Sequence, residues 1–125
     1  MYKTHTCGEI RAAHVGQVVT LAGWVNRRRV HGGINFVDLR DRFGLIQVVS
    51  DPELHPEGHT GIEEVRPEWV IQVVGLVRLR PEGLVNPNMP TGEVEVLAQQ
   101  VKVLNYAKTT PITIYKEENE DEALR

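Results

Sequence analysis

Two long β-type segments of this chain each carry a glycine in mid-run. Val18–Arg29 contains Gly23, and Trp69–Arg80 contains Gly75. A glycine inside a strand marks a bulge, a sharp bend or a close backbone approach. Strands that bend at corners belong to closed, strongly coiled barrels. Ile34–Arg40, Leu45–Val49 and Glu93–Leu104 add three further segments that alternate or run apolar. Turn residues separate them at His31-Gly32-Gly33, at Asp41–Gly44 and across Pro81–Gly92. Between the third and fourth segments, Gly61–Arg66 predicts one or two helical turns, limited by Pro67.

Five strands with a short helix between the third and fourth fit a five-stranded, all-β OB-fold barrel. An SH3-like barrel and another small β-sandwich are the alternatives. The length of 125 residues suits one domain. The formal net charge of −3 argues, taken alone, against a nucleic-acid partner. Its position changes that reading. Lys116–Arg125 holds five acids and two bases, which is the whole excess and leaves residues 1–115 balanced. We therefore expect a domain over 1–108 and an acidic linker or tail over 109–125. The bases are gathered: Arg27, Arg28, Arg29, Arg40 and Arg42 face only Asp38 and Asp41 within residues 21–50. A lone Cys7 excludes an internal disulfide and a cysteine-based zinc site, and a cytoplasmic location is expected. No apolar run is long enough for a membrane span, and the N-terminus lacks a signal-peptide core.

Strand period sends alternate side chains to opposite faces. Val37, Leu39, Ile46 and Val48 form the inward set, so Phe36, Asp38, Arg40 and Gln47 point outward. Arg27 and Arg29 share one face of the first strand, and Glu95 faces out from the fifth. Together these types match what a single-stranded RNA base needs. A ring offers a stacking platform. A primary amide pairs with a base edge, and guanidinium groups hold phosphates or stack. A carboxylate accepts from the paired N–H groups of guanine. Each residue alone also fits a plain core or surface role; their conjunction on one face carries the argument.

The blocks Gly23-Trp24-Val25-Asn26-Arg27-Arg28-Arg29 and Phe36-Val37-Asp38-Leu39-Arg40-Asp41-Arg42, followed by Gly44 and Gln47, resemble the N-terminal anticodon-binding domain of bacterial-type aspartyl-tRNA synthetases. Thr4–Gly8, Arg66–Val70 and Thr91–Val96 extend the resemblance over residues 4–110. The resemblance implies that Phe36 stacks on the central anticodon uracil and Gln47 hydrogen-bonds it. It implies that Arg27 and Arg29 hold anticodon backbone or bases, that Glu95 reads a guanine or its queuine derivative at the first base, and that Arg78 touches backbone. Two loops that govern the third base map to His31-Gly32-Gly33 and Glu82–Asn86. His31 and Gly83 resemble the non-discriminating type, which charges both tRNA-Asp and tRNA-Asn. Where His31 stands, aspartate-specific bacterial enzymes often have Leu. Val30, Asn35 and Phe43 depart from the family pattern, and Asn35, at an inward position, would need polar partners.

The same resemblance places the chemistry in a class II catalytic domain after this one. ATP and magnesium are expected for that parent enzyme, with dimerisation through its catalytic domain. No cofactor is expected in this chain, and no catalytic or metal-binding set is visible in it; His14, His55 and His59 read as loop or surface residues. A free-standing single-strand binder and a protein-interaction module are the competing readings.

Overall fold

The alternating segments become five strands: β1 (Val18–His31), β2 (Ile34–Asp41), β3 (Gly44–Ser50), β4 (Val70–Leu79) and β5 (Val94–Asn105). The computed structural model describes residues 3–105, so the acidic segment 109–125 lies outside the described residues. The strands close in the order β1-β2-β3-β5-β4, with β4 returning to β1. Among the described residues only β3 and β5 pair in parallel, at Val48↔Val96 and Val49↔Leu97. This is the expected OB-fold barrel. Its interior is filled by the inward set, including Val37, Leu39, Ile46, Val48, Val73 and Val96, all fully buried.

The helix differs from the expectation. It is α1 (Pro56–Glu64), begun by Pro56 in its first turn and ended before an extended Val65. The expected Gly61–Arg66 begins five residues too late and runs two residues too far, and Gly58 and Gly61 have a role in the helix that the sequence did not show. They are the face pressed on β5. A Cβ on Gly58 would lie 2.3 Å from the Ala98 carbonyl oxygen, and one on Gly61 would lie 2.7 Å from the Val101 Cβ. Ile62 then reaches the barrel core.

The two strand glycines also divide. At Gly75 the β4–β5 register does shift, with an extra residue on β5. At Gly23 there is no bulge; a Cβ there would meet the Arg40 carbonyl oxygen at 2.4 Å. The β1 bulge falls instead between Val25 and Arg27. Asn35 faces inward as expected and is 2 % exposed, yet its Oδ1 has no hydrogen-bond partner. Ser50, opposite it on β3, is already engaged with His59 Nδ1 at 3.0 Å. His59 is thus tied into the helix–barrel contact rather than being a plain surface residue.

Candidate nucleic-acid interface

The bulge in β1 decides where the arginines point. Leu21 and Val25 face the core, so unbroken alternation would turn Arg27 and Arg29 inward as well. One extra residue, Asn26, reverses the parity. Arg27 now lies opposite Asp38 and Arg29 opposite Phe36, both on the outer face of β2. Arg28 takes the other side, where its Nη1 donates to the Glu63 carbonyl of α1 at 3.0 Å.

From there a polar row runs around the barrel, one residue per strand. Arg27 pairs with Asp38, Asp38 with Gln47 on β3, and Arg78 on β4 with Glu95 on β5. Gln47 joins the two halves. Its Oε1 accepts from Arg29 Nη2 at 3.2 Å, and its Nε2 donates to Glu95 Oε1 at 3.0 Å. Glu95 Oε2 accepts from Arg78 Nε at 2.8 Å. Arg29 also sits 3.6 Å from Asp38 Oδ1, and its guanidinium carbon lies 5.5 Å from the Phe36 ring centroid. The structure therefore brings Arg29, Phe36, Gln47, Arg78 and Glu95 into one connected group. Arg27 stands beside it on the same face, with no side-chain hydrogen bond among the described residues.

Burial corrects the expectation for two of these residues. Glu95 and Gln47 lie on the outer face, but only 3 % and 7 % of their surfaces are exposed. Neighbouring long side chains roof them. In the free protein each Glu95 oxygen already holds a donor, so a guanine would use the remaining lone pairs or displace Arg78. Phe36 stays half-exposed. An open ring beside a desolvated amide and carboxylate suits a base that stacks first and is read at its edge. Three guanidinium groups against Asp38 and Glu95 leave the row a net cation, as a phosphodiester requires.

His31 and Gly83 do not join this group. His31 ends β1 on the outer parity, next to a two-residue hairpin loop in which Gly32 and Gly33 have φ of 61° and 83°. Both central residues of such a type I′ turn need positive φ, which suits glycine. Gly83 lies in the β4–β5 loop with φ of 90°, in a turn closed by Leu84 N–H to the Pro81 carbonyl at 2.9 Å. That loop is clasped to the start of β3, where Thr91 Oγ1 donates to the Leu45 carbonyl at 2.6 Å. The hairpin adjoins the other end of β3, near Asn35 and Ser50. The two loops flank the row from opposite ends.

Sequence reasoning overlooked Arg80. It shares parity with Arg78 and immediately precedes Pro81, the only local signals for it. Its Nε donates to the Val94 carbonyl at 3.2 Å, its Nη1 to the Leu84 carbonyl at 3.4 Å, and its Nη2 approaches Met89 Sδ at 3.8 Å. It rivets the β4–β5 loop to the barrel. Burial lowers its pKa, and the charges of Glu95 and Asp38 oppose that shift. Phe43, one of the departures, is 60 % exposed at the β2–β3 turn, with Lys3 Nζ and the Arg42 guanidinium at 5.6 and 5.8 Å from its ring.

Comparison with known proteins agrees with this geometry. The tRNA anti-codon family, an OB-fold nucleic acid binding domain, matches residues 19–104. The chain is 56 % identical to the aspartate–tRNA(Asp/Asn) ligase of Moorella thermoacetica, over 100 % of this chain and 21 % of that protein. It is 55 % identical to the ligase of the same name from Rubrobacter xylanophilus, over 99 % of this chain and 20 % of that one. The chain thus spans about a fifth of the length of these relatives. Among solved structures, asparaginyl-tRNA synthetase from Pyrococcus horikoshii superposes with a TM-score of 0.71 at 26 % identity, over 98 % of this chain and 27 % of that one.

Proposed function

This chain belongs to the tRNA anti-codon family of OB-fold nucleic-acid-binding domains, and on that premise we propose that it is the anticodon reader of an aspartate–tRNA(Asp/Asn) ligase. The observation that carries the proposal is the connected row beside Phe36: a half-exposed ring, a held amide and a paired carboxylate on one face. The central anticodon uracil stacks on Phe36 and meets Gln47. Arg27, Arg29 and Arg78 take the backbone. Glu95 takes the first base. The loops that carry His31 and Gly83 bear on the third base, where aspartate and asparagine anticodons differ, and the chain accepts both.

The whole enzyme would attach aspartate to tRNA in the cytoplasm, as a homodimer, using ATP and magnesium. Among the described residues no three His, Cys, Asp or Glu side chains converge as a metal requires.

The test is binding of this chain to anticodon stem-loops by fluorescence anisotropy. Stacking contributes about 1–3 kcal/mol per base, so Phe36→Ala should weaken a central-uracil stem-loop about 5- to 150-fold. Gln47→Ala should lower the preference for uracil. In the same panel, His31→Leu should weaken the asparagine stem-loop more than the aspartate one. Equal wild-type binding to stem-loops with any central base refutes the proposal.

A further inference from the structure

Gln47 is held at both ends of its amide, by Arg29 at 3.2 Å and by Glu95 at 3.0 Å. Glu95 cannot drift, because Arg78 holds its other oxygen at 2.8 Å and the residue is 3 % exposed. A side-chain amide is nearly symmetric in shape, and a half-turn about its last bond exchanges oxygen and nitrogen. The partners break that symmetry. An ionised carboxylate only accepts, and a guanidinium only donates. A turned amide would set Oε1 against the Glu95 carboxylate and Nε2 against Arg29. Two charge-assisted hydrogen bonds would become two repulsive contacts.

After its two bonds the amide keeps one N–H and one oxygen lone pair. A pyrimidine edge needs that combination. Uracil presents an O4 acceptor beside an N3–H donor. Cytosine presents an N4 amino donor beside an N3 acceptor. At this edge one amide reads either base, but in opposite orientations, and cytosine, unlike uracil with its second acceptor at O2, has no other edge for the locked one. Stacking on Phe36 does not separate them, because every base has a π-face. Only the direction of the amide does.

We infer that Arg29 and Glu95 lock Gln47 in a single orientation, and that this lock is what separates uracil from cytosine at the central base. Glu95 is then a positioning residue for a base that it need not touch. The inference rests on the anticodon reading above and adds the origin of its pyrimidine specificity. Arg78 belongs to the same device, since it fixes the carboxylate that fixes the amide.

The experiment compares two stem-loops that differ only in uracil or cytosine at the central position. Wild type, Glu95→Gln and Arg29→Met are measured, each with its urea midpoint. Glu95→Gln keeps the shape but can donate or accept, so of the two partners only Arg29 still opposes the turn of Gln47. The uracil-over-cytosine ratio should fall about tenfold or more, the scale of one hydrogen bond to a charged group. The change should come mainly from tighter cytosine binding, which a merely weakened fold would not produce. Arg29→Met, at a half-exposed side chain, provides the same readout should Glu95→Gln not fold. It lowers both affinities through lost backbone contact and narrows the ratio. A further pair of stem-loops varies the first base with the central uracil kept. A wild-type ratio at the central base in both variants overturns the lock, as does an effect of Glu95→Gln on the first base alone; either leaves the anticodon reading intact. No uracil preference in the wild type removes that reading and the lock together.

Discussion

Replacing Asn35 by Leu should stabilise the domain. Asn35 faces the barrel interior between Val30 of β1 and Ser50 of β3, and its buried Oδ1 has no donor. Ser50, its cross-strand partner, has its hydroxyl engaged with His59. A buried carbonyl oxygen without a partner costs about 1–3 kcal/mol. Leu branches at the same carbon, so its two methyl groups occupy the places of the amide oxygen and nitrogen. Their burial adds about 0.8 kcal/mol each. Their greater bulk subtracts about 1–3 kcal/mol if the site cannot relax. The net is a gain of about 1–2 kcal/mol, and each kcal/mol raises Tm by about 4–8 °C in a domain of this class. Urea unfolding followed by Trp24 and Trp69 fluorescence measures it, with the m-value unchanged. Because Asn35 points away from Phe36 and Gln47, stem-loop affinity should not move. A loss of about 1 kcal/mol or more at constant m refutes the reasoning, since it would mean that the oxygen is satisfied in solution. A changed affinity would mean that the side chain faces the row.

Two further outcomes are expected. Arg80→Met should release the β4–β5 loop: the Leu84 and Asn86 amides, bonded to Pro81 and Gly92, should exchange faster while Val48 and Val96 keep their protection. Unchanged exchange at Leu84 and Asn86 would show that the guanidinium does not hold the loop. Burial, with the Asp41 charge adding to it, pushes the Cys7 thiol well up, so the folded state keeps a proton that the unfolded state loses above about pH 8.5. Stability from this group is full below that pH and falls as pH rises, by about 1.4 kcal/mol per pH unit once the unfolded thiol is ionised. Urea midpoints between about pH 9 and 10 should show this slope in wild type and not in Cys7→Ala; parallel slopes would refute it.

The strand count, the barrel, the helix between β3 and β4 and the outward face of Phe36 and Gln47 were legible before any coordinates. Each rests on local information: period-two alternation, turn residues, or a glycine that strands seldom tolerate. The blocks around Arg27–Arg29 and Phe36–Arg42 were equally legible as a family resemblance, because residue types at fixed spacing do not require a structure. The start of α1 was misplaced for a physical reason. Gly58 and Gly61 form the face that packs on β5, against the Ala98 carbonyl and the Val101 side chain, and that contact has no local signature.

The remaining features are relations between distant residues. The bulge at Asn26 exists only against a paired β2, where two residues oppose one, and without it the arginines would face the core. Gln47 and Glu95 are separated by 48 residues and meet only because β3 and β5 run parallel. Arg78 roofs Glu95 by lying opposite it on β4, and Arg80 tethers a loop whose path no local pattern reveals. The residue types on this face followed from the chain alone. Their burial, their pairing and the direction of one amide came from strand closure, because hydrogen-bond geometry depends on which strands become neighbours.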